Sequence, residues 1–171
     1  PFGGVLGRVL LYRKDRFEEA GLAYPDASWT WDDLMHACKK LTDPAKGRYG
    51  IRMKRGKEES WYWTTFLYSV GEDVLAYDDE ASRWKVVFNT PQAARAVDFY
   101  ARLCAEPWVD ANGIPRKGYA YRDAGDAAVK WKRGEIAMAQ GYIDEKTFAE
   151  GINPDLVGIA PVPMGPEGVR G

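Results

Sequence analysis

The sequence has 171 residues, of which 46% are hydrophobic and 29% are charged, with 24 basic and 25 acidic side chains and a net charge of −1. This composition excludes an intrinsically disordered chain, and its length suits a single domain with a core. The near-zero net charge lacks the basic excess that nucleic-acid binding requires, so we expect no nucleic-acid partner.

The first part of the chain alternates strand and helix patterns. Residues 9–12 predict a short buried strand, and residues 14–20 predict a helix ended by Gly21, since glycine adopts the left-handed conformation easily. Thr30 is a predicted N-cap for a helix over residues 31–41. Its apolar stripe follows helical spacing and consists of Trp31, Leu34, Met35, Cys38 and Leu41.

The middle of the chain continues with a predicted strand over 49–53, a helix over 60–70, and a hairpin formed by 74–77 and 84–88. Thr90 and Pro91 then start a helix that Pro107 ends, because proline fits the first helical position and breaks later ones. The predicted buried face of this helix comprises Ala94, Val97, Ala101 and Cys104.

Residues 108–122 are rich in Gly, Pro and Tyr and predict a long irregular connection. Four elements follow in the prediction: a helix over 123–133, a strand over 136–139, a helix over 144–150 and a strand over 157–160. The alternation of strands and helices predicts an α/β fold, with a mixed central sheet flanked by helices.

Most catalytic and metal-binding arrangements lack the residues they need. The lone histidine, His36, falls on the polar side of its helix, and Cys38 and Cys104 read as small core residues. We therefore expect no metal, no cofactor and no histidine-based catalysis. Paired carboxylates remain the one catalytic alternative, for instance Glu58 and Glu59 with Asp78 or Asp144 acting as a glycosidase.

Aromatic residues make up 13% of the chain, and three of them are consecutive: Trp61, Tyr62 and Trp63, directly after Glu59 and Ser60. Neighbouring helical residues point about 100° apart, so three rings cannot share one buried face. At least one ring should face a cleft or solvent. A flat ring beside a carboxylate suits the apolar face and hydroxyl rim of a sugar, although simple packing of all three rings is the alternative.

Several segments together resemble bacterial extracellular solute-binding proteins of ABC importers, the family of the maltodextrin-binding protein. They occur in the family's order over nearly the whole chain: residues 9–22 (VLLYRKDRFEEAGL), 29–34 (WTWDDL), 40–43 (KLTD), 89–93 (NTPQA), 99–100 (FY), 132–138 (KRGEIAM) and 157–163 (VGIAPVP).

The resemblance implies a periplasmic-binding-protein-like lobe of type II. Residues 1–171 would form the second lobe of a two-lobed protein, with 1–10 and 157–163 as the segments that cross between lobes. The implied function is capture, without catalysis, of a sugar or related polar solute between the lobes, followed by delivery to a membrane permease.

The implied partners are the solute, the permease and the amino-terminal lobe absent from this sequence. The implied protein is a monomer and is periplasmic or extracellular. One form that the family takes is lipid-anchored to the outer face of the membrane.

The resemblance also places site residues. Glu59 and Trp61 match a carboxylate and a stacking aromatic that face the sugar, and Tyr121 or Arg122 lies near another ligand-facing tyrosine. Tyr142 follows Gly141 where the family often has a Gly-x-Trp segment; the missing tryptophan weakens the expectation of stacking there. With Tyr62 and Trp63 from the aromatic run, these residues form the predicted ligand site.

Overall fold

The computed structural model describes residues 7–56, 59–122, 125–142 and 153–171, and at residues 59, 60 and 142 it describes the backbone alone. The helices are α1 (Lys14–Glu19), α2 (Trp31–Leu41), α3 (Glu59–Tyr68), α4 (Pro91–Ala105) and α5 (Ala127–Lys132). The strands are β1 (Arg8–Arg13), β2 (Tyr49–Met53), β3 (Leu75–Asp78), β4 (Arg83–Val86), β5 (Pro107–Val109), β6 (Pro115–Lys117), β7 (Ala120–Arg122), β8 (Ile136–Tyr142) and β9 (Val157–Pro161).

A five-stranded mixed sheet in the order β7-β2-β8-β1-β9 forms the centre of the protein. β2 runs parallel to both β7 and β8, whereas β1 is antiparallel to both β8 and β9. Strands β7, β2, β8 and β9 therefore point the same way, and β1 alone runs against them. The predicted α/β fold with a mixed sheet is confirmed.

Helices cover both faces of this sheet, because successive strand residues alternate between faces. Leu10 of β1 belongs to the larger core cluster, which also contains residues of α2, α3 and α4. The next residue, Leu11, belongs to a second cluster that includes Trp131 of α5. Both clusters are buried, so α2, α3 and α4 pack on one face of the sheet and α5 packs on the other.

Helix α2 confirms the predicted cap and stripe. The Thr30 hydroxyl accepts a hydrogen bond from the Asp33 N–H, and the Asp33 carboxylate accepts from the Thr30 N–H at 2.9 Å. The five stripe residues predicted from the sequence are all buried, and His36 is exposed as expected. The indole of Trp31 stacks on Phe99 of α4 with ring centroids 4.5 Å apart.

The predicted buried face of α4 is wrong by one position. The residues that are buried are Ala93, Ala96, Phe99 and Leu103. Val97 is 51% exposed, Ala94 and Ala101 are exposed, and Cys104 is half-buried. The helix turns its larger side chains inward because Phe99 and Leu103 bury more apolar surface than the alanines of the adjacent stripe.

The expected irregular stretch over residues 108–122 contains three short strands instead. β5 and β6 pair as a hairpin, closed by the Asp110 carboxylate, which accepts from the N–H groups of Asn112 and Ile114 at 2.9 and 3.0 Å. β7 joins the central sheet beside β2. These strands are three residues each and two begin with proline, so they carry no alternating apolar signal.

Helix α5 begins at Ala127, four residues later than predicted. Gly125 has a φ of 101°, which a helix cannot include, and Asp126 precedes the first helical residue. The predicted helix over residues 144–150 lies outside the described residues. The hairpin of β3 and β4 is confirmed, with Tyr77 opposite Trp84. None of the helices in the described ranges combines the length and apolar character that a bilayer span needs.

Candidate functional site

The strand directions bring the predicted site residues to one edge of the sheet. β2 ends at Met53, and α3 follows it; β7 ends at Arg122 and β8 ends at Tyr142. Since these three strands are parallel, their carboxyl ends lie at the same edge, together with Arg8 at the start of the antiparallel β1. Ligands of open α/β sheets bind outside the carboxyl ends of the strands, so this edge is the candidate site.

The three consecutive aromatic residues of α3 point in three directions, as helical geometry requires. Trp61 is 65% exposed, which confirms that at least one ring of the run faces outward. Tyr62 is only 8% exposed. Trp63 is half-buried and packs edge-on against Phe88, with centroids 5.7 Å apart. Trp61 is therefore the ring of this run that presents most of its surface.

A groove of about 390 Å³ runs along one face of α3, on which Trp61 and Tyr68 are exposed and Thr64 and Thr65 are buried. Its described lining residues are Gly7, Arg8, Trp61, Thr64, Thr65, Tyr68 and Gly171. The four that belong to α3 have the spacing i, i+3, i+4 and i+7, so they form one face of the helix. The groove thus combines an exposed indole, an exposed phenol and a guanidinium, which is a set suited to binding a hydroxyl-rich solute.

Arg8 connects the start of β1 to α3. Its Nη1 donates to the Thr65 hydroxyl and, at 3.4 Å, to the Thr64 hydroxyl. The guanidinium carbon lies 5.3 Å from the centroid of the Tyr62 ring, and Lys54 Nζ lies 5.7 Å from the same centroid. Two cations thus contact Tyr62, which gives this ring a structural environment in place of an open face.

Tyr121 and Arg122 lie on opposite faces of the sheet. Tyr121 packs with the α5 side of the core, where its ring is 5.3 Å from that of Tyr49 and its hydroxyl donates to Asp126. Arg122 is exposed and pairs in register with Met53, a residue of the larger cluster on the α3 side. Of the two alternatives predicted at this position, Arg122 is the one on the face that α3 covers.

For two predicted site residues the structure describes the backbone alone. Glu59 is the first residue of α3, two positions before Trp61. Tyr142 is the last residue of β8 and pairs in register with Arg8 across to β1. Both backbones therefore lie beside elements that line the groove.

Besides Gly7 and Gly171, the structure adds four residues to the candidate site that the sequence did not indicate: Arg8, Thr64, Thr65 and Tyr68. The helical stripe through Trp61 could have identified the three on α3, since they follow it at i+3, i+4 and i+7. Nothing local marks Arg8, because its proximity to α3 depends on how the sheet is assembled.

A larger groove of about 580 Å³ lies elsewhere, between the start of α2, the outer face of α4 and residues 164–168. It contains none of the predicted site residues. Its two aromatic residues, Trp31 and Phe99, are 7% and 5% exposed and offer little ring surface to a ligand. We therefore assign the site to the groove beside Trp61.

Comparison with known proteins gives a family and a fold. The family model described as bacterial extracellular solute-binding protein matches residues 1–170. The mannitol-binding protein of Pseudomonas aeruginosa is 29% identical over 146 residues, which are 81% of this chain and 31% of that protein.

Two solved structures share the fold. The solute-binding protein of an ABC transporter from Thermotoga lettingae, bound with alpha-D-tagatose, superposes with a TM-score of 0.71 at 29% identity, covering 92% of this chain and 39% of that one. That of Agrobacterium radiobacter, in complex with ribitol, gives 0.68 at 27% identity, covering 96% and 39%. The chain thus spans less than half the length of the proteins that it matches.

Proposed function

The chain belongs to the family of bacterial extracellular solute-binding proteins, and on this premise we propose that it is one lobe of a two-lobed protein that captures a sugar or polyol for an ABC importer. The observation that carries the proposal is the exposed Trp61 in a groove at the carboxyl edge of the sheet. The relatives named above are similar in sequence over most of this chain, and their names record a hexose and two polyols as ligands.

The chemistry of the groove supports a polyhydroxylated ligand. The C–H face of a sugar or the carbon chain of a polyol is apolar and can lie on the indole of Trp61, which excludes water from both surfaces. Tyr68, which is 39% exposed, lines the same groove, and its hydroxyl can exchange hydrogen bonds with ligand hydroxyls. Glu59, two residues before Trp61, is the proposed carboxylate acceptor, and Arg122 and Tyr142 are proposed as further contacts from the same edge.

Tyr62 and Trp63 offer a ligand less ring surface than Trp61 does. Tyr62 is buried, and Trp63 packs on Phe88. We propose Tyr62 as a support for the site and keep Trp63 as a predicted contact only from the open part of its half-buried ring.

The groove forms one wall of a cleft, and the position of the chain's crossover segments supports a second wall from elsewhere. β1 starts at Arg8 and β9 ends at Pro161, and both points lie at the edge that carries the groove. Arg8 and Pro161 belong to the proposed crossover segments 1–10 and 157–163, and their position at this edge supports the proposal that these segments connect to another lobe. Closure of two lobes about such connections would enclose the ligand.

The proposal includes a membrane permease as partner, a periplasmic or extracellular location and a monomeric state, and it requires neither cofactor nor catalysis. The glycosidase alternative gains no support. Asp78, one of its candidate carboxylates, lies in the hairpin of β3 and β4, where it accepts from the Ala81 N–H at 3.1 Å and pairs with Lys85 at 3.3 Å. These are the contacts of a turn residue.

Isothermal titration calorimetry tests the proposal, with protein produced from the whole reading frame that contains this chain. The panel is D-mannitol, ribitol, D-tagatose and maltose, and each sample is checked afterwards by NMR for conversion of the ligand. We expect saturable binding of at least one compound without conversion. Residues 1–171 alone should bind the same compound more weakly, because half a cleft leaves the ligand solvated. Binding of none of the four, or conversion of one, would refute the proposal.

A further inference from the structure

The exposed indole of Trp61 depends on other residues to hold it in one orientation. It lies in the first turn of α3, which starts at Glu59, and its side chain is 65% exposed. The first turn of a helix lacks intrahelical partners for its N–H groups and tends to fray. A ring that must stack on a ligand from such a position loses conformational entropy on binding, unless other residues hold the turn in place beforehand.

Arg8 supplies a connection to this turn through hydrogen bonds. Its Nη1 reaches the hydroxyls of both Thr64 and Thr65. The Thr64 hydroxyl in turn donates to the main-chain carbonyl of Trp61 at 2.7 Å. A continuous path therefore runs from the guanidinium of β1 to the backbone of the exposed tryptophan.

A second connection runs through the ring of Tyr62. The guanidinium of Arg8 lies 5.3 Å from its centroid, and Lys54, just after β2, lies 5.7 Å from it. Tyr62 is 8% exposed, so both cations contact a ring that is largely removed from water, where cation–π attraction is strongest. Tyr62 neighbours Trp61 in sequence. Holding the Tyr62 ring in place therefore also fixes the rotation of α3 about its axis, which sets the direction of Trp61.

Resting on the proposed function of the groove, we infer that Arg8 is a positioning residue for ligand binding: it holds the first turn of α3 so that the indole of Trp61 faces the groove before the ligand arrives. It acts through Thr64, Thr65 and Tyr62 on the orientation of that ring. Positions of this kind determine affinity because a site held in its bound geometry loses less entropy on binding.

The test uses ¹⁹F NMR of 5-fluorotryptophan-labelled protein made from the whole reading frame, with Trp61→Phe to assign the Trp61 signal. Arg8→Gln is expected to shift or broaden that signal and to speed amide hydrogen exchange over residues 61–65 selectively. It should also weaken binding of D-mannitol, used as the probe, about tenfold, the value of one charge-assisted hydrogen bond. Arg8→Lys, which keeps a cation near Tyr62, should recover part of the wild-type signal.

Arg116→Gln is the matched control, since it removes an arginine that pairs with Asp110 at 2.9 Å in the hairpin of β5 and β6, away from α3. It should leave the Trp61 signal unchanged. Thr65→Val removes one of the three contacts of Arg8 and should reproduce part of the effect of Arg8→Gln, and the double variant should be no worse than Arg8→Gln alone.

An unchanged Trp61 signal in Arg8→Gln, or faster exchange spread evenly over the chain, would overturn the inference. Failure of the unsubstituted protein to bind any of D-mannitol, ribitol, D-tagatose and maltose would count against the proposed function, while the ¹⁹F and exchange results would still decide the role of Arg8.

Discussion

Replacing Trp61 with alanine should separate ligand binding from folding. The indole is 65% exposed in the free protein, so its removal deletes little packing. Exposed positions of this kind usually change the free energy of unfolding by no more than about 0.5 kcal/mol. The same exposure makes the ring available to a ligand in the groove that it lines.

The expected loss of affinity follows from the area that a ligand can cover. A tryptophan side chain offers about 150–250 Å² of surface, and a sugar-sized ligand on one face would cover about 50 Å² of it. At about 25 cal/mol per Å², this area contributes about 1.3 kcal/mol to the binding free energy, so its loss should raise the dissociation constant roughly tenfold.

Trp84→Ala provides a matched control. Trp84 is also 65% exposed, but it lies in β4, outside the groove. Calorimetric titration of the full-length protein with the compound that binds it should show the tenfold loss for Trp61→Ala alone. Urea unfolding should show nearly equal midpoints for both variants. Equal affinities of the two variants, or a large loss of stability in Trp61→Ala, would refute the reasoning.

Two further predictions concern stability. Gly118→Ala should lower the free energy of urea unfolding more than Gly113→Ala. Gly118 and Gly113 have positive φ values of 62° and 77°, which cost alanine about 1–2 kcal/mol at either position. Only at Gly118 would the new Cβ overlap the main chain of Cys104, which adds about 1–3 kcal/mol. Glu106→Gln should lower the melting temperature at neutral pH, where Lys39 donates to Glu106 at 2.7 Å and holds the pKa of that carboxyl below its usual value.

The pH dependence of the second variant follows from the direction of the shift. A carboxyl with a depressed pKa contributes stability above its unfolded pKa, and the contribution disappears as the pH falls through the folded value. The melting difference between the wild type and Glu106→Gln should therefore shrink below about pH 4. A difference that stays constant down to acidic pH would contradict the assignment, as would equal losses at the two glycines.

Helix α4 shows how far periodicity reaches. Its sequence contains two adjacent apolar stripes, one through Val97 and one through Phe99, and both have helical spacing. Tertiary contacts decide which stripe is buried: Phe99 stacks on Trp31 of α2 and, with Leu103, buries more apolar surface than the alanines of the other stripe. Helix α2 has a single stripe, and there the sequence predicted the buried residues correctly.

The candidate site, like α4, was only partly predictable from local sequence. The sequence identified the run from Glu59 to Trp63 and required that one ring face outward, because the 100° rotation between helical neighbours is a local property. The helical pattern could not say that the ring is Trp61, which only the family resemblance indicated, or that Arg8 lies beside it, since 53 residues separate the two.

The sequence by itself determined the alternation of strands and helices, the caps and stripe of α2, the aromatic run and the resemblance to a family, all of which are read from residues close together in the chain. The tertiary structure decided the strand order, the three short strands after α4, the inward face of that helix, and the groove where Arg8, Thr64 and Trp61 meet. These features depend on contacts between distant residues, and the relative free energies of such contacts exist only once the sheet has assembled and its faces are covered.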